Sequence, residues 1–265
     1  MQELVRRIQE ELIEPWNKKV VRPKDCGLYQ AVEIACMYLR QNGTQEFLGD
    51  LRYISQSTVS RITTTLVPIV KSALEEFVPN VQEAIEMVNG RVCLVDGTIT
   101  PCWSYDDHGE LWSRKQGTTG FNAQLICLLN GEAVYISDPL PGCTHDAKAF
   151  TITPVAEIVE KSGGGIGDKG YRGCDIVTPR KAPPGGELSK GDQANNAVIS
   201  ALRTPVERLV AHFESWRIFH TDYRRPYRTY HDAYDAARGL FFFSIIWVLN
   251  NLPGVAVDCR WGVEF

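Results

Sequence analysis

The stretch Leu94-Val95-Asp96-Gly97-Thr98 places a carboxylate after an apolar run, predicted to be a short strand from Arg91 to Val95 that ends at Asp96. A second carboxylate, Asp168, follows Gly163-Gly164-Gly165-Ile166-Gly167, a run of small residues that lets backbone approach a charged substrate. A third, Glu207, lies on an amphipathic helical segment. A buried carboxylate is costly unless a cation meets it. Three converging carboxylates would suit Mg²⁺, and hence metal-assisted phosphodiester chemistry.

The segments around these carboxylates alternate between strands and helices. Phe121 to Leu129 and Glu132 to Ser137 are predicted strands, joined by Asn130-Gly131, which is a strong hairpin signal. A helix is predicted from His145 to Ser162, and a Pro/Gly-rich loop from Pro179 to Gly191 precedes the helix that bears Glu207. This order predicts a mixed α/β domain.

Residues 1–88 are predicted to be all helical, and Asn89-Gly90 marks the boundary with a second domain over residues 89–265. Within the first, residues 44–77 fit a helix-turn-helix-like segment: a short helix from Gln45 to Leu51, a turn at Tyr53-Ile54-Ser55, and a longer helix from Gln56. Ser55 or Ser57 suits the N-cap of the longer helix. An ordinary helical hairpin fits this spacing equally well.

The composition is that of a globular protein without an apolar signal region at its N-terminus. The longest apolar run, Leu240 to Leu249, is too short to span a bilayer and is predicted to be a buried helix. The eight cysteines include no Cys-x-x-Cys pair, so reduced cysteines in a cytosolic compartment are expected. The net charge of −4 argues mildly against a nucleic-acid partner, but residues 197–230 hold six arginines against three acids.

Four motifs occur in a fixed order: Asp96-Gly97-Thr98, then Pro141 to Asp146, then Gly167 to Tyr171, then Arg203 with Val206-Glu207-Arg208. This ordered set resembles the DDE superfamily endonucleases, the transposases of bacterial insertion sequences and their PIF/Harbinger relatives. The resemblance covers about residues 91–251, and the helix-turn-helix-like segment before them also fits. Each motif alone is weak, since Asp-Gly-Thr is common, but the ordered set is specific.

The resemblance implies a fold, an activity and a site. The fold would be α/β, a ribonuclease H-like mixed sheet with flanking helices, preceded by an all-α, helix-turn-helix-containing region. Asp96, Asp168 and Glu207 would be the catalytic residues and would hold two Mg²⁺ (or Mn²⁺) ions for phosphodiester hydrolysis and strand transfer. The partner would be double-stranded DNA, at transposon ends and at the target site. The resemblance also implies a homodimer. From the composition and the apolar runs we expect no membrane partner and a location in the cytoplasm, or on the nucleoid if the protein is bacterial.

Each ligand candidate has a competing structural interpretation. Asp96 before a glycine can be a turn residue that bonds its own backbone. Asp168 can be a loop carboxylate paired with Lys169, although Lys169 could instead steady a phosphate. Thr204-Pro205-Val206-Glu207 reads as a capping box, in which Glu207 would bond back to the start of its helix. Glu214, on the same helix face, is the alternative third ligand.

Other polar residues are candidates for supporting roles. His145 and Asp146 open a helix, where capping competes with a contact that steadies Asp96 or Asp168. Lys169 is also a supporting candidate, while Tyr171 either packs beneath the site or stacks on nucleic acid. The predicted DNA-contacting residues are Gln56, Ser57, Arg61, Arg224, Arg225 and Arg228. A solvated turn between helices explains the last three equally well.

Two other functions fit parts of the sequence. A domesticated transposase derivative would bind DNA without strand transfer, and loss of a carboxylate would indicate it, whereas all three candidates are present. A small-molecule metallohydrolase is favoured weakly by the excess of acidic over basic residues. DNA affinity that falls steeply with salt would distinguish a DNA-binding protein from the latter.

Overall fold

The computed structural model of the chain describes residues 1–16, 26–250, 257–258 and 262–263. In chain order the helices are α1 (Gln2–Glu11), α2 (Leu28–Gln41), α3 (Gln45–Arg52), α4 (Gln56–Leu74), α5 (Val81–Val88), α6 (Asp146–Ile152), α7 (Val155–Glu160), α8 (Lys190–Leu202), α9 (Thr204–Glu214) and α10 (Tyr230–Asn250). The strands are β1 (Val92–Pro101), β2 (Trp112–Ser113), β3 (Thr118–Leu128), β4 (Ala133–Ile136), β5 (Leu140–Pro141), β6 (Gly164–Ile166), β7 (Val257–Asp258) and β8 (Gly262–Val263).

The chain forms two compact units, and their borders differ from the predicted ones. One unit comprises Met1–Val78 and Ser215–Phe265, and the other comprises Pro79–Glu214. The sequence division at residues 88 and 89 follows the change from helices to strands. The compact units instead follow packing, because α5 contacts β4 and α7, while α10 contacts α4 and α2. The assignment of functions to two domains stays a prediction.

A mixed sheet forms the centre of the second unit. β1 lies between β3, to which it is antiparallel, and β6, to which it is parallel. β2, β4 and β5 also pair with β3. The predicted hairpin is confirmed, since β3 and β4 are antiparallel and Gly131 at the turn has a φ of 89°. The mixed α/β organisation predicted from the sequence is therefore confirmed.

Helices cover both faces of this sheet. Alternate residues of a strand point to opposite faces, and Val95 of β1 belongs to an apolar core that α6 and α7 complete. The fully buried members of that core are Ala84, Val88, Cys93, Val95, Ile126, Val134, Val155, Ile158 and Tyr171. On the other face α9 packs against β1 and β3 and buries Val206, Leu209 and Phe213.

Three local predictions in this unit need correction. β1 does not end at Asp96 but continues to Pro101. Its later residues stay paired with β3, and the last pair is Pro101 with Gly120. The single helix predicted from His145 to Ser162 is two helices, broken where Pro154 cannot continue the backbone hydrogen bonding of α6. The helix α8 was not predicted, because it buries no residue and therefore shows no apolar stripe.

The predicted short helix, turn and longer helix are present in the first unit as α3, residues 53–55 and α4. Ser55 is the N-cap of α4, and its hydroxyl accepts a hydrogen bond from the Thr58 amide at 3.2 Å. The turn is tight at Gly49, where an added Cβ would lie 2.6 Å from the Ile54 carbonyl oxygen. The helical N-terminal region is confirmed for the described residues, while its DNA-reading role stays a proposal.

The long apolar run near the end of the chain lies in α10, whose Leu240, Phe241 and Phe242 are buried. The side chains of residues 247–250 lie outside the description. Among the described residues, none of the helices combines the length and apolar character needed to cross a bilayer. Cys93 and Cys127, expected to act as small hydrophobic residues, are fully buried in β1 and β3.

Candidate active site

The pairing of β1 with β6 brings Asp96 and Asp168 to the same end of the sheet. In this parallel pair Leu94 is opposite Ile166, so Asp96 and Asp168 each lie two residues further along in the same direction. Asp96 lies within β1, and Asp168 lies two residues beyond the end of β6. Asp96 lies within an extended strand and not in a turn, although its carboxylate does accept a hydrogen bond from the backbone next to it, as the turn interpretation expected.

Asp96 is a mostly buried carboxylate with two hydrogen-bond donors. Its Oδ1 accepts from the Gly97 amide at 2.9 Å, and its Oδ2 accepts from Nη2 of Arg203 at 2.8 Å. Burial raises the pKa of Asp96 to about 6; Arg203 and the Gly97 amide oppose the rise, and the charges of Asp168 and Asp146 add to it. Asp96 is therefore a carboxylate whose charge is disfavoured mainly by burial and stabilised by Arg203 and the Gly97 amide.

Asp168 is fixed by the backbone that follows it. It caps a 3₁₀ turn over Lys169–Tyr171, and its Oδ1 accepts from the Gly170 amide at 2.7 Å. Lys169 is exposed, and the described contacts of Asp168 do not include an ion pair with it. The described contacts therefore do not support the interpretation of Asp168 as a loop carboxylate paired with Lys169.

Two glycines of the run before Asp168 are required for packing. An added Cβ on Gly165 would lie 2.6 Å from Cγ2 of Ile176, and one on Gly167 would lie 2.7 Å from Cδ1 of the same residue. Tyr171 also lies beneath this turn, fully buried and edge-to-face with Phe150. Of the two interpretations of Tyr171, packing beneath the site is the one that the structure shows.

Asp146 joins this region as a third buried carboxylate. Its Oδ2 accepts from Nζ of Lys115 at 2.6 Å, and its Oδ1 accepts from the side-chain amide of Asn122 at 3.3 Å. Its carboxylate therefore points to these donors, and the first-turn position in α6 does not explain its contacts. His145, by contrast, is the exposed N-cap residue, without a side-chain capping bond.

A chain of buried hydrogen bonds supports Asp146 from below. The hydroxyl of Tyr171 donates to Oε1 of Gln124 at 2.6 Å, and Nε2 of Gln124 donates to Oδ1 of Asn122 at 2.6 Å. Gly97 makes room for this chain, because a Cβ there would lie 2.6 Å from Nε2 of Gln124 and 2.9 Å from Oδ1 of Asp146. The glycine of the Asp-Gly-Thr motif thus admits a polar network that no larger residue would allow.

Glu207 stands apart from these three carboxylates. Its side chain is 53% exposed, and its Oε1 lies 3.6 Å from Nη1 of Arg203, the same guanidinium that binds Asp96. The amide of Glu207 donates to the Arg203 carbonyl at 3.2 Å, so the predicted capping bond from this amide to Thr204 is replaced by the continuing helix. Glu214, the alternative ligand, accepts from the Thr98 hydroxyl at 2.6 Å.

Several residues of this site were not predicted from the sequence. Asn122 and Gln124 could have been found, because two polar residues at alternate positions interrupt the apolar strand β3. Arg203 stands within a motif but received no role. Lys115 gave no signal, since it lies 31 residues before Asp146 in a segment without periodicity. Burial alone would lower the pKa of Lys115, but its bond to Asp146 and the nearby carboxylates raise it.

A cleft of about 220 Å³ opens beside the carboxylates. It is lined by β1 at Gly97–Ile99, by residues 113–116, by Asn122 and by residues 142–146. Lys115 and Asp146 both line this cleft, so their ion pair faces space that a ligand could enter.

The residue types fit a divalent metal, although the described contacts do not form a ready-made metal site. No three Asp, Glu, His or Cys side chains of the described part of the chain stand in metal-binding geometry. Asp96 and Asp146 instead point to protein cations, Arg203 and Lys115. An all-oxygen donor set is what Mg²⁺ or Mn²⁺ requires. Binding of a divalent metal ion would therefore need the side chains of Arg203 and Lys115 to move away from the carboxylates.

The predicted DNA-contacting residues lie in the first unit. Gln56, Ser57 and Arg61 are exposed at the start of α4, and Nε of Arg61 donates to the Ser57 carbonyl at 3.2 Å. Arg225 donates to the Thr63 and Thr64 hydroxyls at 3.0 and 2.8 Å.

Arg224 donates to the Asn42 carbonyl, and the Asn42 side chain donates to Thr221 and Asp222. Arg224 and Arg225 are thus engaged within the protein, while Arg228 is exposed.

With this geometry in place, comparison with known proteins identifies the class. The sequence matches the family described as DDE superfamily endonuclease over residues 95–240, which is more than half of the chain. The protein belongs to this family of DNA-cutting enzymes, which generally use divalent metal ions. No curated protein matches the chain significantly.

Proposed function

We propose that the protein is a DDE-type transposase or endonuclease that cuts and joins DNA phosphodiester bonds at transposon ends. The observation that carries the proposal is the parallel pairing of β1 with β6, which brings Asp96 and Asp168 together at one end of the sheet. The strand arrangement, with β1 antiparallel to β3 and parallel to β6, also supports a ribonuclease H-like fold.

The proposed cation ligands are Asp96, Asp168 and Glu207. When bound, two Mg²⁺ or Mn²⁺ ions would activate the attacking water or 3′-hydroxyl and stabilise the leaving oxygen. Asp96 is suited to this role, because the charges that raise its pKa also favour a bound cation. Arg203, which links Asp96 to Glu207, would hold the two carboxylates in the metal-free protein.

DNA binding is assigned to the first unit. The exposed start of α4, with Gln56, Ser57 and Arg61, is the proposed reading surface, and exposed Arg228 is a further phosphate contact. His145 and Lys169, both exposed beside the carboxylates, would steady the DNA backbone as polar and cationic groups. A homodimer, implied by the family resemblance, would hold two transposon ends together.

A nicking assay with supercoiled DNA tests this function. We expect nicking by the full chain with Mg²⁺ or Mn²⁺ and none in EDTA, together with DNA affinity that falls steeply as salt rises. Salt-dependent binding without metal-dependent nicking would instead support a domesticated DNA-binding derivative. Salt-independent, weak binding would contradict a role on DNA.

A further inference from the structure

Asp146 is the carboxylate of this site that its place in a helix does not explain. Its side chain is 9% exposed, and it faces the cleft beside the sheet end. The helix it opens has only seven residues, and its carboxylate is directed to Lys115 and Asn122. A buried charge that is not needed for capping calls for another explanation.

The hydrogen bonds beneath Asp146 fix the position of its carboxylate. Tyr171 donates to Gln124, Gln124 donates to Asn122, and Asn122 donates to Oδ1 of Asp146. Each amide in this chain uses its oxygen as acceptor and its nitrogen as donor, so the chain has one direction and ends on an acceptor. The network therefore holds Oδ1 of Asp146 in place and leaves its Oδ2 on Lys115, which lines the cleft.

The second oxygen of Asp146 lies close to Asp168. A Cβ on Gly170 would lie 2.6 Å from Oδ2 of Asp146 and 2.8 Å from Oδ1 of Asp168. The two oxygens are therefore separated by less than the sum of these distances. Two ligands of one Mg²⁺ ion, each about 2.1 Å from the metal, lie at most about 4.2 Å apart, so the two oxygens can share one ion after an approach of roughly 1 Å at most.

The ammonium group of Lys115 lies where a divalent cation would bind. Its ammonium group lies 2.6 Å from Oδ2 of Asp146, the same oxygen that approaches Asp168. The Lys115 side chain is 55% exposed, so it can leave this position without uncovering a core. An exposed lysine paired with a buried carboxylate is a counter-ion that a divalent ion can replace.

We infer that Asp146 shares a divalent cation with Asp168, and that Lys115 is the counter-ion of this pair in the metal-free protein. The inference rests on the proposed function, because it adds a ligand to the cation site. It places this ligand on the side of the sheet opposite to Glu207, since Asp146 approaches Gly97 while Glu207 is linked to Asp96, and neighbouring strand residues face opposite sides.

Calorimetric titration of the full chain with Mn²⁺ tests the inference. We expect Asp146→Asn to weaken Mn²⁺ binding by roughly tenfold or more, with an unchanged melting temperature in EDTA or a higher one. Asp175→Asn, which removes an exposed charge from the same unit, is the matched control and should bind Mn²⁺ as the unaltered chain does. Wild-type affinity in Asp146→Asn would overturn the inference and assign Asp146 a purely structural role.

Two further variants keep the test decisive. Lys115→Gln removes the competing cation and should bind Mn²⁺ several-fold more tightly; equal or weaker binding would overturn the inference even if Asp146→Asn does not fold. Asp168→Asn separates the inference from the proposed function: if it loses Mn²⁺ binding while Asp146→Asn keeps it, the inference fails and the proposed function stands. Mn²⁺ binding that survives in Asp168→Asn would overturn both.

Discussion

The carboxylates at the end of the sheet and the carboxylate on α9 are held in different ways. Asp146 and Asp96 have side chains that are 9% and 19% exposed, and Asp168 is bound by the Gly170 amide. Glu207 is 53% exposed, and its described partner is Arg203 at 3.6 Å, beyond hydrogen-bond distance. The carboxylates at the sheet end are thus held in place without metal, with Arg203 and Lys115 as their partners, whereas the exposed Glu207 would take its final position when a cation replaces Arg203.

The largest expected effect falls on the sheet carboxylates. Asp96→Asn and Asp168→Asn should each lower Mg²⁺-dependent DNA nicking by roughly a hundredfold or more, because an amide is a far poorer ligand for a hard cation. Circular dichroism should show that both variants fold. A variant that nicks DNA at the wild-type rate would remove that residue from the ligand set.

Substitution of Glu207 tests the role of the carboxylate on α9. Glu207→Gln should leave the melting temperature nearly unchanged, because the side chain is exposed, and should lower nicking by roughly tenfold to a hundredfold. Thr204→Ala is the matching variant for the capping-box interpretation. It should lower the free energy of unfolding by less than the roughly 1 kcal/mol that loss of an N-cap costs, because the Glu207 amide donates to the Arg203 carbonyl instead. Full activity in Glu207→Gln would direct attention to Glu214.

These differences also show what the sequence could predict. Asp96 and Asp168 follow runs whose patterns indicate strands, so their meeting at one sheet edge was predictable. The extension of β1 was not, because Thr98 and Thr100 read as polar turn residues until their partners are known: Thr98 donates to Glu214, and Thr100 to the Phe121 carbonyl. Pairings between residues far apart in the chain require the fold, and Lys115 with Asp146 is such a case.

The buried charge of Asp96 predicts a pH dependence in EDTA. Its pKa rises from 3.8 to about 6 on folding, so the folded state binds the proton more tightly and this group's contribution to stability falls as pH rises from about 4 to about 6. Asp96→Asn should match the unaltered chain near pH 4 and be more stable above pH 7, by at most about 3 kcal/mol. Chemical denaturation at both pH values measures this, and a less stable variant at pH 7 would contradict it.

The smallest expected effect concerns the first unit. Arg61→Ala should reduce the slope of DNA affinity against salt by about one ion if Arg61 contacts phosphate, or cost roughly 1–3 kcal/mol at one base pair if it contacts guanine. Nicking of DNA already bound at saturating concentration should not change. Lys161→Ala, with the same loss of charge on the other unit, is the control. Unchanged affinity and sequence preference in Arg61→Ala would make α3 and α4 a structural hairpin.

The central claim is that Asp96 and Asp168 bind the divalent cation at the end of the sheet. Anomalous scattering from crystals soaked in Mn²⁺ measures this directly. The account predicts a manganese peak in contact with the carboxylates of both residues, with Arg203 displaced from Asp96. Manganese peaks confined to other parts of the molecule, with the Arg203–Asp96 pair intact at saturating Mn²⁺, would contradict it.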